Sequence, residues 1–285
     1  MNTVIAGLHS YPIKSCGAFD YSDSCELSSA GLPFDREWVL VDDRGTFMTQ
    51  RKWPRMALIS PQPTLSGLWL RAPDQEDLFL STQTSTAQDI QVSVNIWSSA
   101  CLGRDEGEVA ARWLSTFLGV SCRLLRRHTY GVRHPDPDLL HRWQSRHRRI
   151  DAEHNFGFAD SLPFLFTNEA SLTQLNQHVL AEGDAAVEMA RFRPNIVLSG
   201  LPAYAEDQLR GLYVGEQYFA VLKPCTRCPL PNVNQATAQV GRQPLRALMT
   251  TRGFGSQMHF GVQAVLASPA RARLTLGDSV RPDFA

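Results

Sequence analysis

The sequence predicts a mainly β protein with some α. Three observations carry that prediction: short β-rich runs at regular spacing through the first hundred or so residues, few stretches with helical periodicity, and a return to strand-like text at the end. In order, TVIAGLHSYPI, CELSS, REWVLVD, GTFMTQR, MALISPQP, GLWLRAP, DLFLST and DIQVSVNIW run to about residue 98, broken by turn residues. DDRG at 42–45, between REWVLV and TFMTQ, is a hairpin signal. Such spacing argues for an antiparallel barrel or sandwich.

The period changes in GRDEGEVAARWLSTFLG, 103–119, where Val109, Trp113, Leu114, Phe117 and Leu118 recur on one helical face, acids lead and Gly119 stops the helix. From Arg123 to Arg149 come eight arginines, four of the eight histidines and two acids, which reads as a long basic loop with one short helix around LLHRWQSRH. TNEASLTQLNQHVL, 167–180, reads as a helix capped by Thr167 or Asn168, with Leu172, Leu175 and Val179 facing inward. NIVLSG, GLYVGEQYFAVLKP and ARLTLGDSV return to strands, with no βαβ alternation long enough for a parallel sheet.

The 285 residues make one large domain or two of ordinary size. Hydrophobic residues are 43% and charged residues 20%, and 28 basic side chains balance 28 acidic ones, so the totals favour neither disorder nor a polyanion partner. Any basic site must be local. Nucleic-acid binding is not expected, because the arginine-rich stretch lacks interleaved aromatics. No signal peptide pattern and no run of roughly 18 apolar residues is present, so the expectation is a soluble, cytoplasmic protein without a membrane span. Cysteines at 16, 25, 101, 122, 225 and 228 are scattered, and most read as packing thiols.

VLKPCTRCPL, 221–230, concentrates the chemistry. A redox pair should open a helix, yet a strand-like VLKP leads in and PLPNVN follows. A structural zinc needs four ligands, and beyond the pair only His259 follows. A buried turn with two inert thiols and a single thiolate ligand to a preassembled cofactor both survive, the latter favoured by the flanking Lys223 and Arg227.

Six blocks, YPIKSC (11–16), FDREWVLVDDRGTFMTQR (34–51), PFLFTNEASLTQLN (163–176), FRPNIVLSG (192–200), YAED (204–207) and KPCTRC (223–228), together resemble the MOSC proteins, in order and over nearly the whole chain. Within that family the similarity is to amidoxime-reducing components and bacterial reductases of N-hydroxylated bases. The resemblance implies a MOSC β-barrel domain over 121–285 preceded by a smaller β-rich N-terminal domain over 1–120, with a molybdenum cofactor (Mo-molybdopterin) between them. It makes Cys228 the catalytic centre and molybdenum ligand, with Cys225 a neighbour.

Molybdopterin carries a phosphate and many ring donors and acceptors, so its pocket needs cationic forks and fixed amides. The resemblance implies Lys14, Ser15, Arg36, Arg193, Asn195, Thr226 and Arg227 for that role, with Thr167, Asn168 and Ser171 adding contacts at a helix start. Pro194 is expected to fix a turn that presents Arg193 and Asn195 together.

The implied activity is reduction of N-hydroxylated compounds (hydroxylamines, amidoximes, N-hydroxylated bases) to amines or amidines. Electrons are expected from a separate protein, ferredoxin-like or cytochrome b5-like, since no cysteine beyond 228 offers a [2Fe–2S] site. The basic stretch 123–149 is a candidate to line the cofactor entrance or dock such an acidic partner. His134, Asp136, Asp138 and Asp207 all stand as candidate general acids. The alternatives are a molybdenum-cofactor carrier or sulfur-transfer protein, as in MOSC domains joined to pyridoxal-phosphate cysteine desulfurases, and a β-barrel binding module without metal. Two departures from the family text, PLPNVN after Cys228 and Gln263, fall on the expected substrate pocket.

Overall fold

A computed structural model describes residues 2–83, 91–97, 99–128, 131, 133–255, 257–268 and 272–285. Its centre is a closed seven-stranded barrel. The strands run in the order Phe164–Asn168, Ile196–Ser199, Thr3–Ser10, Ser279–Phe284, Leu209–Val214, Gln217–Thr226 and Gln257–Leu266, and the last closes on the first. Alternating side chains fill it: Ile5, Leu8, Phe164, Phe166, Ile196, Leu198, Leu212, Phe219, Val262 and Ala264 are all buried in one cluster. Phe219 meets Phe164 and Phe166 edge-on at 5.1 and 5.2 Å. Each such ring contributes about 1.5–3 kcal/mol by leaving water.

One barrel pairing is parallel. Phe166 to Asn168 pair with Ile196 to Leu198, and α3 (Glu169–Ala181) supplies the crossover that parallel neighbours need. The other barrel pairings are antiparallel, so the sheet is not a parallel one, in line with the lack of repeated βαβ units in the sequence. A single unit sets no such rhythm.

The four helices include α1 (Glu108–Leu118), α2 (Pro137–Gln144) and α4 (Leu245–Arg252) besides α3. In α1 the buried face is Ala110, Ala111, Leu114 and Phe117, while Val109, expected inside, is 62% exposed. Residues 103–105 end the strand Ser99–Asp105 rather than begin the helix. Trp143 of the short basic helix α2 packs with Tyr218 and Ala220 of the barrel.

A four-stranded sheet, Trp38–Val41, Arg123–Arg127, Ser99–Asp105 and Gln91–Ile96 in that order, is the core of the other unit, beside a three-stranded sheet of Ser60–Pro63, Gly67–Arg71 and Leu78–Ser81. Arg123–Arg127 is therefore a strand, not the start of a loop. Leu124 and Leu125 are fully buried, and the arginines around them are neutralised by acids the linear text does not place nearby: Arg123 by Asp105 and Glu108, Arg126 by Glu106, Arg127 by Glu37. Basic composition concealed a half-buried strand.

Backbone pairing crosses the expected division at residue 120 through three strands that pair beyond it. Thr3–Ser10 is a barrel strand, Arg123–Arg127 lies in the other sheet, and Ser24–Leu27 pairs with Ala272–Thr275. The segment 11–17, leaving the barrel for the other unit, consequently sits at their junction. There Lys14 N–H donates to Trp38 O, and Arg36 N–H to Tyr11 O. Among the described residues no helix is long and apolar enough to cross a membrane.

Candidate functional site

The strand Gln217–Thr226 delivers the CTRC turn to the mouth of a cavity of about 330 Å³ at this junction. Register shifts between Val221 and Lys223, and between Pro224 and Thr226, twist the strand end away from its partner, a use of bulges common beside sites. Both thiols line the cavity, but they differ in exposure. Cys225 is buried, and desolvation pushes its thiol up from the ordinary range, whereas Cys228 is exposed at the cleft.

Arg227 pins the turn between them. Its backbone N–H donates to Met258 O (2.8 Å), its Nε and Nη2 to Phe260 O (3.0 and 2.7 Å), and its Nη1 to Phe192 O (2.9 Å). Thr226 is exposed beside it and reaches Gln257 Oε1 at 3.4 Å.

Cations dominate the cleft although the chain as a whole is neutral. Lys14, Arg36, Arg51, Arg191, Arg193, Lys223 and Arg227 line it, with Asp160 the one acid among the described lining residues. Lys14 is buried and donates to Phe158 O (2.9 Å) and Asp160 Oδ1 (2.5 Å). Desolvation pulls its ammonium below the usual lysine range, and Asp160 opposes that pull. Partial desolvation likewise works against the Asp160 charge, but Lys14, the Trp97 indole N–H (3.0 Å) and Arg36 outweigh it and hold the carboxyl well below the usual range.

Arg36 and Arg193 converge on Tyr11, their guanidiniums 4.4 and 4.1 Å from its ring. Arg36 Nη1 donates to both oxygens of Asp35, at 2.5 and 2.6 Å. Arg193 Nη1 donates to Cys16 O (2.6 Å), while its Nη2 is buried with no partner. Burial lowers its pKa to about 10, so it stays charged at neutral pH. A buried guanidinium nitrogen without an acceptor costs about 1–3 kcal/mol, which an anionic or acceptor-rich ligand in the cleft recovers.

Backbone strain gathers in the same place. Ser15 (φ 64°), Arg36 (49°), Trp97 (55°) and Arg193 (55°) are non-glycine residues in the left-handed region, and all four line the cleft. Each such conformation costs about 1–2 kcal/mol, and strain of this kind concentrates where side chains are aimed at a ligand. Asn195, next after Pro194, lines the cleft too, but its amide ties strands together, accepting from Leu165 N–H (3.2 Å) and donating to His9 O (3.2 Å).

Three expected contacts lie elsewhere. Thr167, Asn168 and Ser171 are fully buried and do not line the cleft. Asn168 caps α3 through Ala170 N–H and donates from Nδ2 to Pro202 O (2.8 Å) and Glu206 Oε2 (3.2 Å). Ser171 Oγ donates to Glu206 at 2.6 Å, and the Thr167 hydroxyl has no partner. The acceptor at this helix start is the protein's own Glu206 carboxyl, fully buried in the YAED turn.

Burial raises the Glu206 carboxyl above the ordinary range, with the Ser171 and Asn168 hydrogen bonds opposing it. The native state therefore keeps a proton that the unfolded chain releases. Its contribution to stability is complete below the unfolded pKa and is lost as pH rises through the raised native value. Glu206→Gln is expected to flatten that fall in a series of unfolding midpoints measured from mildly acidic to neutral pH; an unchanged slope contradicts the assignment.

Of the candidate general acids, Asp136 caps α2, Asp207 pairs with Arg252, and neither they nor His134 or Asp138 reach the cleft. Asp160 was missed. In NFGFADSLPFLF nothing about spacing or flanking charge distinguishes it, and only the fold sets it against Lys14. Both textual departures do fall on the wall, since Leu230, Pro231 and Gln263 line the cavity. No group of three or more His, Cys, Asp or Glu that could hold a bare metal ion occurs among the described residues.

Fold and cleft together define a β-barrel protein whose cation-lined, acid-poor cavity is edged by one exposed thiol on a pinned turn. Residues 2–121 match the MOSC N-terminal beta barrel domain and residues 153–281 the MOSC domain. The chain is 32% identical over 291 residues to mitochondrial amidoxime-reducing component 1 of Mus musculus, covering 97% of this chain and 81% of that protein. The Homo sapiens protein of the same name is 31% identical over 292 residues (97% and 82%). Molybdenum cofactor sulfurase of Arabidopsis thaliana is 28% identical over 298 residues, which span 96% of this chain but 34% of the sulfurase. The chain belongs to the MOSC family, and its function is related to the molybdenum cofactor.

Proposed function

We propose that the cleft holds a molybdenum–pterin cofactor, with Cys228 as the protein ligand to the metal, and that the loaded protein reduces N-hydroxylated compounds. The unpartnered Nη2 of buried Arg193 is the observation that carries the fit: it needs an acceptor, and the cations around it suit a phosphate and an acceptor-rich ring system. The bound group would supply the two-electron redox chemistry. Lys14, Ser15, Arg36, Arg193 and Arg227 would hold and orient it, and Arg227 would also fix the Cys228 backbone. Asn195 would hold the strands that frame it.

The net change is R–NHOH + 2 e⁻ + 2 H⁺ → R–NH₂ + H₂O, with the electrons from a separate electron-transfer protein, ferredoxin-like or cytochrome b5-like. Asp160, kept ionised by Lys14, accepts a hydrogen bond from an N–H or O–H of the incoming substrate. The names of the relatives, amidoxime-reducing component foremost, support the reaction class. The assay is anaerobic incubation of metal-loaded protein with reduced methyl viologen and benzamidoxime, with benzamidine measured by chromatography. Benzamidine is expected. A fully loaded protein that reduces no amidoxime or hydroxylamine points instead to a cofactor carrier or sulfur-transfer role, the reading that similarity to the sulfurases supports.

A further inference from the structure

The cations of the cleft are not equivalent. Lys14 and Arg193 are buried, and Arg36, Arg191, Lys223 and Arg227 are half-buried, each tied to backbone or side-chain oxygens. Arg51 alone is exposed. It has no carboxylate partner among the described residues; its guanidinium lies 5.0 Å from the Trp97 ring, and its Nε makes a long contact of 3.5 Å to Thr49 Oγ1.

Trp97 is itself held, by its indole N–H on Asp160 and by Phe47 packed edge-on at 5.3 Å. Arg51 therefore stands at the mouth as a pre-oriented, unneutralised charge. Lys52 over Trp53 (4.3 Å) and Arg55 over Phe117 (4.6 Å) follow in the same stretch, both exposed and neither in an ion pair among the described residues.

A resident group is held for long periods and can justify desolvated, multiply bonded cations. A solvated cation at the rim meets what enters and leaves. We infer that Arg51, braced on Trp97, anchors a negatively charged substituent of the substrate, so that the enzyme prefers N-hydroxylated substrates carrying an anionic group. This rests on the reductase reading and specifies the substrate class for the same site.

The test compares benzamidoxime with 4-carboxybenzamidoxime, using reduced methyl viologen as electron source. Wild-type protein is expected to favour the carboxylate in kcat/KM by about five- to tenfold, through KM, as for a charge pair near 4 Å at a partly solvated surface. The preference should shrink at molar salt, vanish in Arg51→Gln and largely survive in Arg51→Lys. Equal kcat/KM for the two substrates in wild type, or a preference undiminished in Arg51→Gln, overturns the proposal. So does loss of molybdenum from Arg51→Gln, which assigns the side chain to the cofactor. Absence of turnover with either substrate overturns the reductase reading itself, an outcome distinct from turnover without preference.

Discussion

Cys228→Ala is expected to lose nearly all its molybdenum, whereas Cys225→Ala keeps most of it. The two thiols are three residues apart and both line the cavity, yet the pinned turn leaves Cys228 exposed and Cys225 buried. The exposed sulfur is the more accessible to a metal, and only a thiolate is a good ligand. The buried thiol, pushed upward by desolvation, is protonated at neutral pH. Cys225→Ala removes one buried sulfur and costs on the order of 1 kcal/mol in packing. Its signature is a lowered unfolding midpoint with metal retained. Cys228→Ala should show the reverse, an apo-protein midpoint close to wild type with no metal. Equal metal loss in the two variants contradicts the asymmetry.

Arg193→Ala should weaken both the cleft and the fold around it. Arg193 bonds the Cys16 carbonyl across 177 positions of sequence, lies on Tyr11, lines the cavity and keeps one buried nitrogen without a partner among the described residues. Losing a hydrogen bond to a charged group costs about 1.5–3 kcal/mol, and the same guanidinium is the one with free capacity for a ligand. We expect apo-protein stability to fall by that amount in denaturant unfolding and cofactor content after purification to fall severalfold. Stability lost with cofactor content unchanged would limit Arg193 to joining the barrel to the segment 11–17.

The mainly β architecture and the cleft's chemistry were legible where local pattern and local placement coincide. The prolines around CTRC argued against a helix opening at the pair, and the strand Gln217–Thr226 does lead into it. FRPN does bring Arg193, in the left-handed region before Pro194, and Asn195 to the same cavity, although the Asn195 amide is engaged with Leu165 and His9. What linear text concealed was pairing over long separations. The arginines of 123–127 look like a solvated run until Asp105, Glu106, Glu108 and Glu37 are seen opposite them.

The start of α3 reads as a contact site for a ligand, but the group it meets is the Glu206 carboxyl, from 35 positions beyond Ser171. Asp160 carried no local signal at all, because its significance comes from Lys14, 146 positions earlier. Helix caps and turns are encoded within a few residues, whereas ion pairs that build a cleft are encoded by topology. The neutral total charge kept such a local site possible without indicating where it lay.

The account stands on molybdenum and pterin in the cleft. The most direct measurement is elemental analysis for molybdenum, with fluorescence analysis of oxidised pterin, on wild-type protein purified from a host that makes molybdenum cofactor. About one molybdenum and one pterin per chain is the predicted result, as for any protein whose redox chemistry resides in a stoichiometric cofactor. Protein free of both, from cells in which another molybdoenzyme is fully loaded, would contradict it.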